Sequence, residues 1–358
     1  MADAQSTTAA DGKLLALAMA EPLHTRASTI RKAFYVALGL VVLVFPHVFE
    51  SSYPHYVHVM ITIFMYALMA QSWNILAGFC GQISLGHAAF FGIGAYSTGY
   101  LFFAYRLSPW IGMLVGVLIA MAMAVAIGIP TFRLRGHYFA IATLLIGVGV
   151  QIFVQRWELV GAASGIFLPI VREQPLLSFQ FHGTKLPYYY IILAFLALAC
   201  FIVRRLDRSR IGFYFRAIRD EPEAASSLGV NVTLYKSYAF MISAALMSMA
   251  GAFYCQYVLV IDPDSVFPLS MSILVVLMAV MGGAGTLWGP IIGAAVLVPL
   301  SEVTRIYFGG TGGTLDLMIY GALIVLICIF KPEGLVGAVK MHRQATDEEK
   351  TDDGDARG

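Results

Sequence analysis

Charged side chains are scarce in this sequence. Asp, Glu, Lys and Arg make up 12% of its 358 residues, against roughly 25% in soluble domains, which excludes an ordinary water-facing surface. The mean hydropathy of +0.77 makes lipid the expected solvent. Cysteine is scarce too: Cys80, Cys200, Cys255 and Cys328 are the only four, and no Cys-x-x-Cys spacing occurs. Neither a zinc site nor a disulfide framework is indicated. The formal net charge is only +2, and no Lys/Arg run is interleaved with aromatics, so nucleic acid is not an expected partner. His47, His55 and His58 gather around one predicted loop, and His137 and His182 flank spans. No carboxylate or cysteine completes a ligand set beside them, so no metal is expected.

What the chain has instead is long apolar runs. Segments of roughly 17 to 25 residues, each able to cross a hydrocarbon core of about 30 Å, recur near 33–49, 57–77, 83–105, 110–130, 138–154, 187–203, 234–258, 267–284, 286–303 and 314–330. The fold class expected is therefore an all-α polytopic membrane protein of about ten transmembrane helices. The fifth and sixth spans read short, and the Gly-rich junction at 283–287 reads as a turn or a re-entrant segment. A membrane-spanning domain over 33–337 is flanked by a polar tail, 1–32, and a charge-rich, aromatic-free tail, 338–358, of disordered composition. The apolar stretch 14–20 is too short for a secretory signal, so the first tail is expected in the cytoplasm.

Orientation follows from the basic residues, because cationic loops stay on the cytoplasmic side. With an inside N-terminus, Arg133, Arg135, Arg204, Arg205, Arg208, Arg210, Arg216 and Arg219 fall inside. Only Arg106, Arg156, Arg172, Lys185 and Arg305 fall outside. Both termini are thus expected to be cytoplasmic.

Acidic and basic residues are nearly absent from span interiors, and Lys236, Glu302 and Asp316 lie near predicted span ends. An ion-coupled carrier usually keeps such groups near the midplane, so energy for uphill transport should come from elsewhere. No nucleophile–base pair is visible, and no enzyme is expected. The main polar exception is the run Gly81, Gln82, Ser84, Gly86, His87, Gly92, Gly94, Ser97 and Thr98. Small residues let backbones approach or break, which in lipid requires protein or water alongside. The run reads either as a packed seam with His87 hydrogen-bonded inside it, or as the lining of a translocation path whose hydroxyls meet a zwitterionic head. The residues alone leave both open. The stretch 282–290 is Gly-rich but lacks the Gly-Lys-Ser/Thr ending of a phosphate loop, and reads as a tight cytoplasmic turn. The loop 155–187, with Gly161, Gly165, Pro169, Pro175 and Gly183, covers an external mouth, receives a soluble partner, or is filler.

The segment 204–230 is the most specific. Ala217, Ile218, Ala224, Ala225 and Leu228 permit one or two short helices, Pro222 suits a first helical turn, and Gly229 a stop. A charged, structured helix between spans needs something to dock on. Glu223-Ala224-Ala225-x-x-x-Gly229 matches the EAA-x-x-x-G loop of ABC importer permeases, and 216–220, 81–96 and 282–290 resemble the LivM type of branched-chain amino acid permease. The chain is similar to the LivH/LivM permease family over 33–337.

That resemblance implies a multi-span bundle in a bacterial inner membrane, paired with a LivH-like second permease. Two ABC ATPase subunits would hold the ATP and magnesium, and a periplasmic substrate-binding protein would deliver a small amino-acid substrate. This chain would bind no cofactor. Glu223, Ala224, Ala225 and Gly229 would be coupling-helix residues, with Arg216 and Arg219 flanking the ATPase contact. Urea, short amides or aromatic acids are alternative cargoes, and a channel or carrier working without ATPases is the competing mechanism.

Overall fold

The computed structural model describes residues 39–50, 53–134, 136–171, 175–181, 183–308 and 322. Both predicted tails, the span at 314–330 with Asp316 and Cys328, the residues Arg135, Arg172 and His182, and the side chain of Arg305 lie outside the described residues.

The apolar runs become helices. They are α1 (Gly39–Phe49), α2 (Pro54–Asn74), α3 (His87–Tyr105), α4 (Pro109–Thr131), α5 (His137–Arg156), a short α6 (Pro175–Ser178), α7 (Leu186–Asp207), α8 (Arg210–Asp220), α9 (Pro222–Ser227), α10 (Val232–Val258), a short α11 (Pro263–Val266), α12 (Leu269–Gly282) and α13 (Gly289–Phe308). Proline sits in the first turn of α4, α7, α9 and α11, where a missing N–H costs nothing. Side-chain caps start others: Ser209 accepts from Gly212 N at 3.2 Å and Asn231 from Leu234 N at 3.1 Å, worth about 1 kcal/mol each.

Six helices among the described residues are long and apolar enough to cross a membrane, the π-extended Pro54–Phe79 and Pro263–Gly282 among them. The fifth and sixth spans are longer than the sequence suggested, at 20 and 22 residues, and their last turns carry Arg156 and Arg204 with Arg205. The third span differs the other way. Helix starts only at His87, and α3, 19 residues long, is not among the six, since Gly, Ser, Thr and Tyr dilute its hydropathy.

Among the described residues, those up to Val57 form one compact unit and those from His58 another. In the first, Phe45 and Phe49 stack at 4.6 Å, and Phe49 meets Tyr56 edge-on at 6.1 Å. The second is built around α3, α4 and α10. Burial separates centre from periphery: 67% of the most apolar window of α10 is buried, against 33% in α4 and 22% in α5. The outer faces of α4 and α5 present Leu114, Leu118, Leu145 and Phe153, as lipid requires.

Glycine sets the spacing of the core. A Cβ on Gly251 of α10 would stand 1.9 Å from the Phe91 carbonyl oxygen of α3, and one on Gly94 2.0 Å from that of Ser248. These backbones touch, as in small-residue seams of membrane helices. The contacts also fix direction: His87 and Gly94 of α3 meet Ser243 and Ser248 of α10, so the two run parallel, whereas Gly112 and Gly116 of α4 meet Thr98 and Gly94, so α4 runs antiparallel. In the α12–α13 hairpin, a Cβ on Gly293 would lie 1.8 Å from Met278 O. The 283–287 junction is thus the turn of a tight helical hairpin.

The loops sort to two ends. At one, β1 (Ile166–Phe167) pairs antiparallel with β2 (Val260–Ile261), and Gln151 and Gln155 donate to Asp264 Oδ1 at 3.0 and 2.8 Å. The loop 155–187 is anchored there: Ser108 Oγ donates to Leu177 O at 2.7 Å, and Trp110 stacks on Phe179 at 4.6 Å. At the other end lie 75–86, the α8–α9 hairpin and the 283–289 turn. Loops assigned by charge to opposite faces gather at opposite ends.

Gly251→Val should force the α3–α10 backbones apart and lower the thermal midpoint in detergent by the equivalent of about 1–3 kcal/mol or more. Gly149→Ala, on α5 with open space around it, should leave the midpoint unchanged or raise it slightly.

Candidate functional site

The break before α3 is the most polar buried region among the described residues near that end. Helix α2 continues as a π turn, Ile75–Phe79, whose residues are all buried. Gly81 then takes φ +73°, the left-handed region that glycine tolerates, and the chain runs without helix to Gly86. Its backbone is satisfied by side chains from several helices. Trp73 Nε1 donates to Ser84 O at 2.8 Å, Leu85 N donates to Thr143 Oγ1 at 3.1 Å, and Ala88 N donates to Ser272 Oγ at 2.9 Å.

His87 sits fully buried at the head of α3. Its Nε2 is 2.8 Å from Ser243 Oγ and its Nδ1 3.1 Å from Ser84 Oγ. Ser243 gives its one hydroxyl hydrogen to Ser72 O at 2.8 Å, and Ser72 returns a bond to Ser243 O at 2.8 Å. Hydrogen counting therefore puts the ring proton on Nε2, with the Ser84 hydroxyl donating to Nδ1. Every polar atom of this cluster is used in tying α2, α3 and α10 together.

The other predicted residues divide between the two sequence readings. Gly86, Gly92 and Gly94 are close-packing positions: a Cβ on Gly86 would meet Thr143 O at 2.2 Å, and one on Gly92 the Phe267 ring at 2.1 Å. Gln82 is partly exposed, its amide 3.4 Å from Gly81 O. Thr98 is buried against Gly112, and its Oγ1 makes no hydrogen bond. Ser97 lines a cavity of about 490 Å³ with Tyr96, Tyr100, Trp157, Val160 and Phe267. Its walls are apolar, suited to aliphatic chains rather than a charged head.

The α8–α9 hairpin is the second region. Phe215 and Ile218 bury one face of α8, and Tyr214 meets Tyr235 of α10 at 4.8 Å. Beside this contact Lys236, expected at a cheap interfacial position, is instead buried. In α9, Ala225 is buried, while Glu223, Ala224 and Gly229 are exposed. Gly229 has φ +87° with open space around it, so its requirement is conformational and the helix ends there. Leu228 is 86% exposed, on a hairpin outside the spans. Sequence reading took Leu228 as a helix-forming position; the signal available was that it follows the last buried alanine by three residues.

Arg216 and Arg219, expected to flank a partner contact, are partly exposed, at 36% and 38%, and also bond within the chain. Arg216 forms an ion pair with Asp207 and donates to Asp207 O at 3.2 Å, capping the end of α7. Arg219 pairs with Asp220 at 3.0 Å and donates from Nη1 to Gly78 O, in the π turn, at 3.2 Å. That π turn is held to the 283–289 turn by Asn74, whose Nδ2 donates to Thr286 O at 2.9 Å and whose Oδ1 accepts from Gly285 N at 2.7 Å. Gln71 adds a bond to Leu287 O at 3.1 Å.

A family profile described as "Branched-chain amino acid transport system / permease component" matches residues 55–328. Among similar curated proteins, LivM, the high-affinity branched-chain amino acid transport system permease protein of Escherichia coli (strain K12), is 30% identical over 331 residues, covering 86% of this chain and 76% of the relative. The LivM of Salmonella typhimurium is 29% identical with the same coverage, and the LivH permease of that organism is 26% identical, covering 78% of this chain and 93% of its own.

Ser243→Ala should strand the His87 Nε2 proton and cost about 1–3 kcal/mol, seen as a lowered unfolding midpoint in detergent. Ser97→Ala should leave that midpoint unchanged.

Proposed function

The chain belongs to the LivM-type branched-chain amino acid transport permease family, and from that premise we propose that it is the membrane-spanning subunit of an ATP-driven importer for branched-chain or related amino acids. It works in a bacterial inner membrane with about ten spans and both termini in the cytoplasm. The observation that carries the ATP-driven reading is the α8–α9 hairpin. It is a short helix pair outside the spans that buries Ala225 toward the bundle and presents Glu223, Ala224 and Leu228 outward.

In this reading the hairpin docks on an ABC ATPase, a second such subunit serves a LivH-like permease, and ATP and magnesium are bound by those partners. The chain itself performs no chemistry. The near absence of ionisable groups inside the spans supports an external energy source, because a proton or sodium site needs such groups at depth. The opposite end, with its anchored 155–187 loop, is the proposed receiving face for a substrate-binding protein. The cargo assignment is supported by the names of the relatives and by the aliphatic and aromatic lining beside Ser97.

ATP-dependent uptake of radiolabelled leucine into proteoliposomes, holding this chain with its neighbouring permease, ATPases and binding protein, tests the proposal. Uptake should require ATP and fall roughly tenfold or more in Glu223→Lys and Leu228→Asp, the scale of losing an interface anchor, and in Gly229→Asp. Uptake of urea or another solute in place of leucine would change the cargo and keep the ATP coupling. Leucine uptake without the ATPases would overturn the mechanism.

A further inference from the structure

We propose that Arg219 is a positioning residue of the transport cycle, a tie that delivers movement of the α8–α9 hairpin to α2 and to the α12–α13 hairpin. This rests on reading the hairpin as the ATPase-docking element. It reassigns an arginine that family resemblance places at the ATPase contact.

Geometry carries the inference. The partly exposed guanidinium donates from Nη1 to Gly78 O at 3.2 Å. That carbonyl lies at the end of the π turn, where the last carbonyls of a helix lack intrahelical partners. Three glycines make room for the tie. A Cβ on Gly81 would lie 2.9 Å from Arg219 Cγ, and one on Gly285 would lie 3.3 Å from Nη1 and 3.0 Å from Gly78 O. A Cβ on Gly78 would lie 2.4 Å from Gly285 N, so the π turn and the Gly-rich turn are in backbone contact. Gly285 has φ +78° and turns its N–H onto Asn74 Oδ1.

Hairpin, π turn and Gly-rich turn therefore form consecutive elements, the first two joined by the Arg219 guanidinium and the second and third by touching backbone and the short Asn74 amide. A linkage of that kind passes displacement on, whereas a packed aliphatic contact can slide. Arg219 is the first link and Asn74 the second. The two should act in series.

The test uses the complete complex reconstituted with Arg219→Gln, Arg219→Lys, Asn74→Ala and the double variant Arg219→Gln/Asn74→Ala. Three quantities are read: co-purification of the ATPases, ATP hydrolysis, and leucine uptake per ATP. The expected result is that Arg219→Gln and Asn74→Ala keep the ATPases bound and hydrolysing while uptake per ATP falls roughly tenfold. Arg219→Lys should recover part of it, and the double variant should be no worse than either single one. Loss of ATPase co-purification in Arg219→Gln but not in Asn74→Ala would make Arg219 a partner contact and overturn the proposal. So would unchanged uptake per ATP in Asn74→Ala, a variant that keeps the arginine should Arg219→Gln fail to assemble. Failure of the underlying reading looks different, as leucine uptake by the wild type that does not need ATP.

Discussion

Backbone hydrogen bonding in lipid is the constraint from which the rest of this structure follows. An amide left unpaired at depth has no water to turn to, so a chain crossing the membrane is helical unless neighbouring groups take over the ladder. Between Ile75 and Ala88 they do. Trp73, Thr143, Ser272 and Arg219 supply the partners, and they come from four different helices. A break that needs so many helices to sustain it also fixes where those helices sit.

Glycine makes that fixing possible. Packing in lipid gains nothing from burying apolar surface, because tails are as apolar as leucine, so association depends on close van der Waals contact and interhelical hydrogen bonds. Gly94 and Gly251 bring α3 and α10 to backbone contact, and that proximity puts His87, Ser243 and Ser72 within hydrogen-bonding distance of one another. Small residues and polar cluster are two halves of one arrangement. The same holds at Gly78 and Gly285, where missing side chains admit Asn74 and Arg219.

Hydropathy made the long helices legible, because a span must be apolar along its whole length and few other elements are. Positive charge sorted the loops into two sets that the structure gathers at opposite ends. The break before α3 was legible only as a Gly-rich stretch: Ile83 and Leu85 are as apolar as any span residue, and nothing local says that Thr143 or Ser272 will satisfy the backbone there. The π turn was not legible, since Ile75, Leu76 and Phe79 suit an α-helix equally well. Arg216 and Arg219 illustrate a further limit. Motif matching gives the hairpin but not the direction in which its arginines point, which depends on carbonyls from residues more than a hundred positions away for Arg219.

The α3–α10 seam is also uneven along its length. At the hairpin end every polar atom of the His87 cluster is paired, and separating the helices there breaks those bonds into lipid or an empty gap. Further along, among the described residues, the hydroxyls of Tyr96, Thr98 and Ser248 and the side-chain amide of Gln256 are buried and make no hydrogen bond within the chain. The seam is thus joined by hydrogen bonds at the hairpin end and by close packing of small residues beyond it, toward the β1–β2 end. The apolar cavity beside Ser97 lies on that half of α3.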